Sequence, residues 1–230
     1  MDHPSARTLA AQSPATLGRS ALIRKIGWVV MMIFASIIAA YAIAVLVVPT
    51  MRAPFLQQRF IVMPLAATLH LAGAAVALVV GPLQHNSRLR GRFLSMHRWT
   101  GRAYVLAVLF GGAGALRLAT VAQGGLPAHV GFGLLAVLWL LATGQAYRYI
   151  RAGDQDSHRR WMTRSYALTF AAVTLRIYLP LSQVVGIPFE PAYQTIAWLC
   201  WVPNLILAEW LSLRRYVTAP IPEPDSIVAA

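Results

Sequence analysis

The feature that most constrains this chain is the run from Ile26 to Val48, 23 residues without a charged side chain. Roughly 20 apolar residues in a helix cross ~30 Å of hydrocarbon, so the run is long enough to span a membrane. It exceeds the core of a signal peptide, and Pro49 closes it without a small-residue cleavage pattern, so an uncleaved first span is expected. Similar runs lie at 60–83, 99–122, 129–149, 161–183 and 193–213. The connections between them are short, which makes neighbouring helices antiparallel. The expected fold is all-α: six transmembrane helices in an antiparallel bundle over 26–213, with a basic, disordered tail at 1–25 and a second tail at 214–230. Composition agrees, with 58% hydrophobic and only 12% charged residues, which excludes a water-soluble globule and a disordered chain.

The formal net charge of +13 would suggest a nucleic-acid partner on a soluble domain. Its distribution gives another reading. With the N-terminus inside, sixteen of the 20 basic residues fall in segments on one face, and only Arg52 and Arg59 fall in segments on the other. By the positive-inside rule both termini are expected to be cytoplasmic, in the plasma (inner) membrane, with the arginines against anionic headgroups and no nucleic acid bound. Trp28, Trp99, Trp161 and Trp210 fall at the same ends, as an interfacial aromatic belt requires. The single cysteine, Cys200, makes neither an internal disulfide nor a thiolate cluster, so any metal must rely on histidine.

Beyond His3 in the tail there are five histidines. His70 lies about ten residues into the second run, His97 immediately before the third, His129 at the start of the fourth and His158 immediately before the fifth; His85, in a basic loop, reads as surface. One histidine on each of four successive helices is a pattern that supplies axial ligands to haem b. His97 and His158 share a level, so they form the better pair. His129 lies at the outer surface while His70 is ~13–15 Å deep, a poor match for a second haem. The alternative for His97 and His158 is a wet, basic rim, since arginines follow both. His70 points to function because an ionisable side chain in mid-membrane is costly.

On the fifth helix His158, Met162, Ser165, Thr169, Ala172 and Arg176 share one face. Arg176 is suited to a haem propionate, a quinone oxygen, an anionic substrate or a lipid phosphate, or else to capping a neighbouring helix. Arg117 snorkels to the interface. Glu209, the one acid within the spans, either pairs with an arginine or relays protons. Gly73, Ala77 and Gly81 on the second helix and Gly111, Gly112 and Gly114 on the third mark either close helix packing or room for a flat cofactor. Trp-x-x-Arg-x-Tyr occurs at Trp99–Tyr104 and again at Trp161–Tyr166, 62 residues later, which suggests a duplicated hairpin.

Leu69-His70, Gly81-Pro82-Leu83-Gln84, His97-Arg98, Gly101-Arg102-Ala103-Tyr104, His158 to Met162, Arg164 to Leu168 and Thr174-Leu175-Arg176 together resemble a bacterial family of predicted integral-membrane proteins, domain-of-unknown-function family 2306. The resemblance covers roughly residues 60–212 and brings no established activity. It implies that His70, His97, His158, Arg176 and Glu209 are characteristic polar positions, whereas position 85 is usually aromatic and position 129 is not dependably histidine. The functional expectation is an electron carrier with bis-histidine haem b and a quinone or other redox partner. The alternatives are a small transporter or lipid-interacting protein, or an assembly subunit. Whether the chain is an enzyme stays open, although phosphate loops, nucleophile elbows and zinc-protease signatures are absent.

Overall fold

The computed structural model describes residues 14–217, and among them there is helix and no strand. The helices are α1 (Pro14–Val47), α2 (Pro54–Val62), α3 (Pro64–Gln84), α4 (Ser87–Arg92), α5 (Leu94–Ala119), α6 (Gly125–Arg151), α7 (Gln155–Thr169), α8 (Ala171–Val184), α9 (Phe189–Leu199) and α10 (Val202–Val217). Six stretches are long and apolar enough to cross a membrane: Lys25–Val47, Pro64–Gln84, Leu94–Ala119, Gly125–Arg151, Gln155–Val184 and Phe189–Leu213. The number and order of spans are those read from the sequence. Residues 1–13 and 218–230, which hold most of both expected tails, lie outside the described residues. Over 14–25, expected as tail, the chain is already helical.

Several boundaries move, each for a local reason. The second span begins at Pro64 rather than near residue 60. A residue before proline is pushed out of the α region, and Met63 sits at φ −138°, ψ 63°, splitting the apolar run into α2 and α3. The third and fifth spans start earlier than expected, at Leu94 and Gln155, so His97 and His158 lie inside their helices' first turns rather than just before them. The fifth span is interrupted at Phe170 and the sixth at Cys200–Trp201. In the sixth, Pro203 lacks the N–H that would bond the Leu199 carbonyl, which ends α9. Asn204 braces the break from the next turn. Its Nδ2 lies 3.0 Å from the Cys200 carbonyl, 3.3 Å from the Ala167 carbonyl and 2.9 Å from Thr174 Oγ1, and that hydroxyl donates to Cys200 O at 2.6 Å.

Four spans form the centre, with α5 and α7 facing each other across the bundle and α3 and α6 between them on either side. α1 packs on α3, α9 on α6, and α10 on α7. The closest approach is α3 on α5. A Cβ at Gly73 would run into the Ala107 carbonyl and Gly111 backbone, and one at Gly114 would lie 2.8 Å from the His70 nitrogen. A Cβ at Gly112 would lie 2.7 Å from Leu140, and one at Gly81 would enter the Tyr166 ring. The small-residue faces are therefore filled by neighbouring backbone and side chains. Of the two readings of these residues, close helix packing is the one observed: without hydrophobic drive in lipid, close backbone approach is what they supply.

Candidate functional site

Polar side chains gather at three levels of the bundle, with His97 and His158 at the first and His70 at the third. At the end carrying most of the arginines, His158 accepts a fixed orientation from α6: its Nδ1 lies 2.8 Å from the Ala146 carbonyl, so Nδ1–H donates and Nε2 is left to other partners. His97, on the facing helix α5, lies within electrostatic reach of His158, Arg90 and Arg98, and its buried Nδ1 has no hydrogen-bond partner. The two imidazoles that the sequence placed at one level thus lie within electrostatic reach of each other, each in the first turn of its helix. Trp28 secures the same end of α3 by donating from Nε1 to the Pro82 carbonyl at 2.8 Å.

Below this pair runs a buried hydroxyl network joining three helices. Tyr104 of α5 lies with its hydroxyl 2.8 Å from both Ser165 Oγ and Thr169 Oγ1 of α7. From α6, Trp139 Nε1 donates to Thr169 Oγ1 at 2.9 Å, and Thr143 Oγ1 lies 2.6 Å from Ser165 Oγ. All five residues are buried, and each polar group is satisfied by another in the set. Ser165 and Thr169 are legible in the sequence as an inward stripe; Trp139 and Thr143 are not. A lone tryptophan and threonine in an apolar run carry no signal beyond packing. The network locks helix register, and it separates the two histidine levels.

In the opposite half, Arg176 and His70 come within electrostatic reach of each other. Counted from the near ends of their spans, His70 is about 9 Å deep and Arg176 about 12 Å deep. The start of α3 at Pro64 accounts for the shallower His70. His70 Nδ1 lies 3.1 Å from the Gly111 carbonyl on α5, which fixes the ring and leaves Nε2. Arg176 donates from Nη1 to Ala172 O of its own helix at 3.1 Å and lies over the Tyr41 ring of α1, 5.4 Å from its centroid. Tyr193 of α9 is also within electrostatic reach of it. Arg176 and His158 share a helical stripe in sequence, but the hydroxyl network lies between them, so Arg176 is placed with His70 and not with the His97–His158 pair.

His129 joins neither group. Its Nε2 lies 2.8 Å from the Ala122 carbonyl, where it closes the turn after α5. His85 Nδ1 lies 3.0 Å from Gly81 O, and its ring packs on Tyr166 at 5.3 Å. Glu209 on α10 binds Arg164 of α7 in a two-pronged ion pair, with Arg164 Nε on Oε1 and Nη2 2.9 Å from Oε2. Of the two roles weighed for Glu209, the salt bridge is the one observed. The pair borders a cavity of about 290 Å³ lined by Tyr149, Ser157, Arg160, Trp161 and Ser212. Among the described residues no group of three or more His, Cys, Asp and Glu side chains converges.

The dimensions and composition of the six spans make this a multi-pass membrane protein. No curated protein and no solved structure matches the chain. A family model described as a predicted membrane protein, domain-of-unknown-function family 2306, matches residues 67–212, well over half the chain. The protein belongs to that family.

Proposed function

We propose that this protein is a membrane electron carrier in which His97 and His158 hold a haem b at the Arg-rich end, and that this end faces the cytoplasm of the inner membrane. The reading is supported by the position of these imidazoles, each in the first turn of one of two helices that face each other across the bundle and within electrostatic reach of the other. The donor set suits the group. His158 donates Nδ1–H to a backbone carbonyl, the outer-shell arrangement that orients an imidazole for ligation through Nε2. His97 carries a buried nitrogen without a partner. Arg90 and Arg98 stand close enough to act on His97 electrostatically and are suited to propionates. Tyr104 and Met162 are buried in the core beneath, so the fit is to a group held at the rim rather than in the bundle interior. Bound haem would supply one-electron transfer between ferrous and ferric iron. The chain's own contribution is to fix the His158 tautomer and to lend positive potential from its arginines. The same arginines favour anionic lipid headgroups on that face.

The test is the absorbance spectrum of the full-length protein purified from cells supplied with haem. A Soret band is expected, lost in H97A and in H158A with unchanged elution from a sizing column, and kept in H70A and H129A. Absence of the band from the unaltered protein, or its survival in both H97A and H158A, overturns the reading.

A further inference from the structure

We propose that Arg176 and His70, together with Tyr41 and Tyr193, form an oxyanion-binding site in the Arg-poor half of the bundle. The inference is independent of the haem reading and survives its failure. It begins from a charge without an answer. Arginine stays protonated in proteins, and a cation ~12 Å into hydrocarbon is costly unless paired or solvated. The ion pairs among the described residues are Arg159–Asp156 and Arg164–Glu209, so Arg176 has no carboxylate. Its one direct hydrogen bond to protein is to Ala172 O, in its own helix, and a guanidinium has five donors. Arg164 shows how this fold neutralises an arginine when it does so internally, with a fork of two bonds to Glu209. Among the described residues no carboxylate does this for Arg176, which leaves the place to an oxyanion from outside the chain.

The neighbours fit that ligand. The bond from His70 Nδ1–H to Gly111 O leaves its second nitrogen, Nε2, for another partner, and the ring lies within electrostatic reach of Arg176. A carboxylic acid or phosphate monoester entering with its proton would pass it to Nε2, leaving an oxyanion between an imidazolium and the guanidinium. The Tyr41 ring holds the guanidinium plane from the side of α1. Tyr193 lies within electrostatic reach of both Arg176 and Arg59, and Arg59 sits on α2 near the Arg-poor surface. α2 also touches the start of the sixth span through Phe55 and Phe189, whose rings lie 5.9 Å apart, and Phe189 stacks on Tyr193 at 5.3 Å. A basic route thus leads inward from Arg59 by way of Tyr193 to Arg176, on the membrane face otherwise poor in positive charge. The shared chemistry is an oxyanion, either the headgroup of an amphiphile or a small soluble anion.

The full-length protein in phosphatidylcholine discs tests this with three probes: decanoate, acetate and inorganic phosphate, with bound probe counted by native mass spectrometry or equilibrium dialysis. At least one probe is expected to bind at one per chain, at least tenfold more weakly to R176Q and unchanged to R117Q. Binding of decanoate alone assigns an amphiphile; binding of acetate or phosphate assigns a soluble anion. H70Q offers a second reading if R176Q does not fold, and it is expected to weaken binding several-fold. The proposal is overturned if no probe binds, if a folded R176Q binds like the unaltered protein, or, where R176Q does not fold, if H70Q binds like it.

Discussion

On the third span Arg102 lies over the Trp99 ring at 4.7 Å, and on the fifth Arg164 lies over the Trp161 ring at 4.4 Å. Two residues further on, each helix buries a tyrosine, Tyr104 and Tyr166. The repeated string therefore produces the same local object twice: a cation stacked on an interfacial indole, followed by a ring turned into the bundle. What surrounds the two copies differs. Arg164 is clamped by Glu209, whereas Trp99 is 66% exposed beside an exposed Arg102. The Tyr104 hydroxyl has two partners at 2.8 Å, while that of Tyr166 reaches only the Leu78 carbonyl at 3.5 Å. Local sequence fixes how a residue leaves its helix; the neighbours decide whether its polar atom does anything.

The largest expected effect exploits Gly81, which lies against both tyrosines. A Cβ on Gly81 would enter the Tyr166 ring but would only approach the Tyr104 ring, at 3.3 Å. We predict that Gly81→Ala destabilises the protein in detergent by about 1–3 kcal/mol, the usual cost of overpacking. Adding Tyr166→Ala should remove most of the added penalty, because the overlap is with that ring, and adding Tyr104→Ala should not. A double-mutant cycle on denaturation midpoints measures this. Equal coupling of Gly81 to both tyrosines would mean that the two copies are packed alike.

Of intermediate size is the effect of removing each hydroxyl. Tyr104→Phe takes a hydrogen-bonding hydroxyl from a fully buried network, and about 1 kcal/mol is expected, in line with interhelical hydrogen bonds in membranes. Tyr166→Phe gives up a long contact and should be close to neutral. Thermal unfolding of the two variants in the same detergent compares them directly; matching losses would contradict the asymmetry seen in the hydrogen bonds.

How far this arrangement was legible depends on the range of the interaction. Span number, the grouping of arginines and the shared level of His97 and His158 follow from periodicity, length and charge, all local properties. The Trp-x-x-Arg-x-Tyr echo was visible for the same reason. The break at Cys200 had a local sign in Pro203, and the split at Met63 had one in Pro64, but a smooth hydropathy run masked both. Partners distant in sequence were not legible. Glu209 read as an acid seeking an arginine, yet nothing selected Arg164, 45 residues away. His129 and His85 end on backbone carbonyls, Ala122 and Gly81, and no side-chain pattern announces an available carbonyl. Trp139 and Thr143 were hidden because their role exists only once α6 faces Tyr104 and α7.

The smallest effect concerns how the two helices bearing the repeated string begin. α7 starts behind Asp154, whose carboxylate accepts from the Ser157 backbone N–H at 2.9 Å, while α5 starts behind Phe93 with no side-chain cap. Hydrogen bonds from the Ser157 hydroxyl and then its backbone hold the Asp154 carboxyl below the usual carboxylate range. A carboxyl depressed in the fold favours the native state above its unfolded value, near 3.9, and that contribution drains away as pH falls through the lower folded value. Asp154 is solvent-exposed, so the change should be confined to the first turn of α7. We predict that amide protection factors at Ser157 and His158 drop on going from about pH 6 to about pH 3, while those at Met96 and His97 on α5 stay level. Asp154→Asn, which keeps a capping oxygen without a titrating charge, should abolish the drop. A parallel loss of protection at both helix starts would show that acid loosens this end of the bundle as a whole, and the difference between the two copies would then not extend to how their helices are capped.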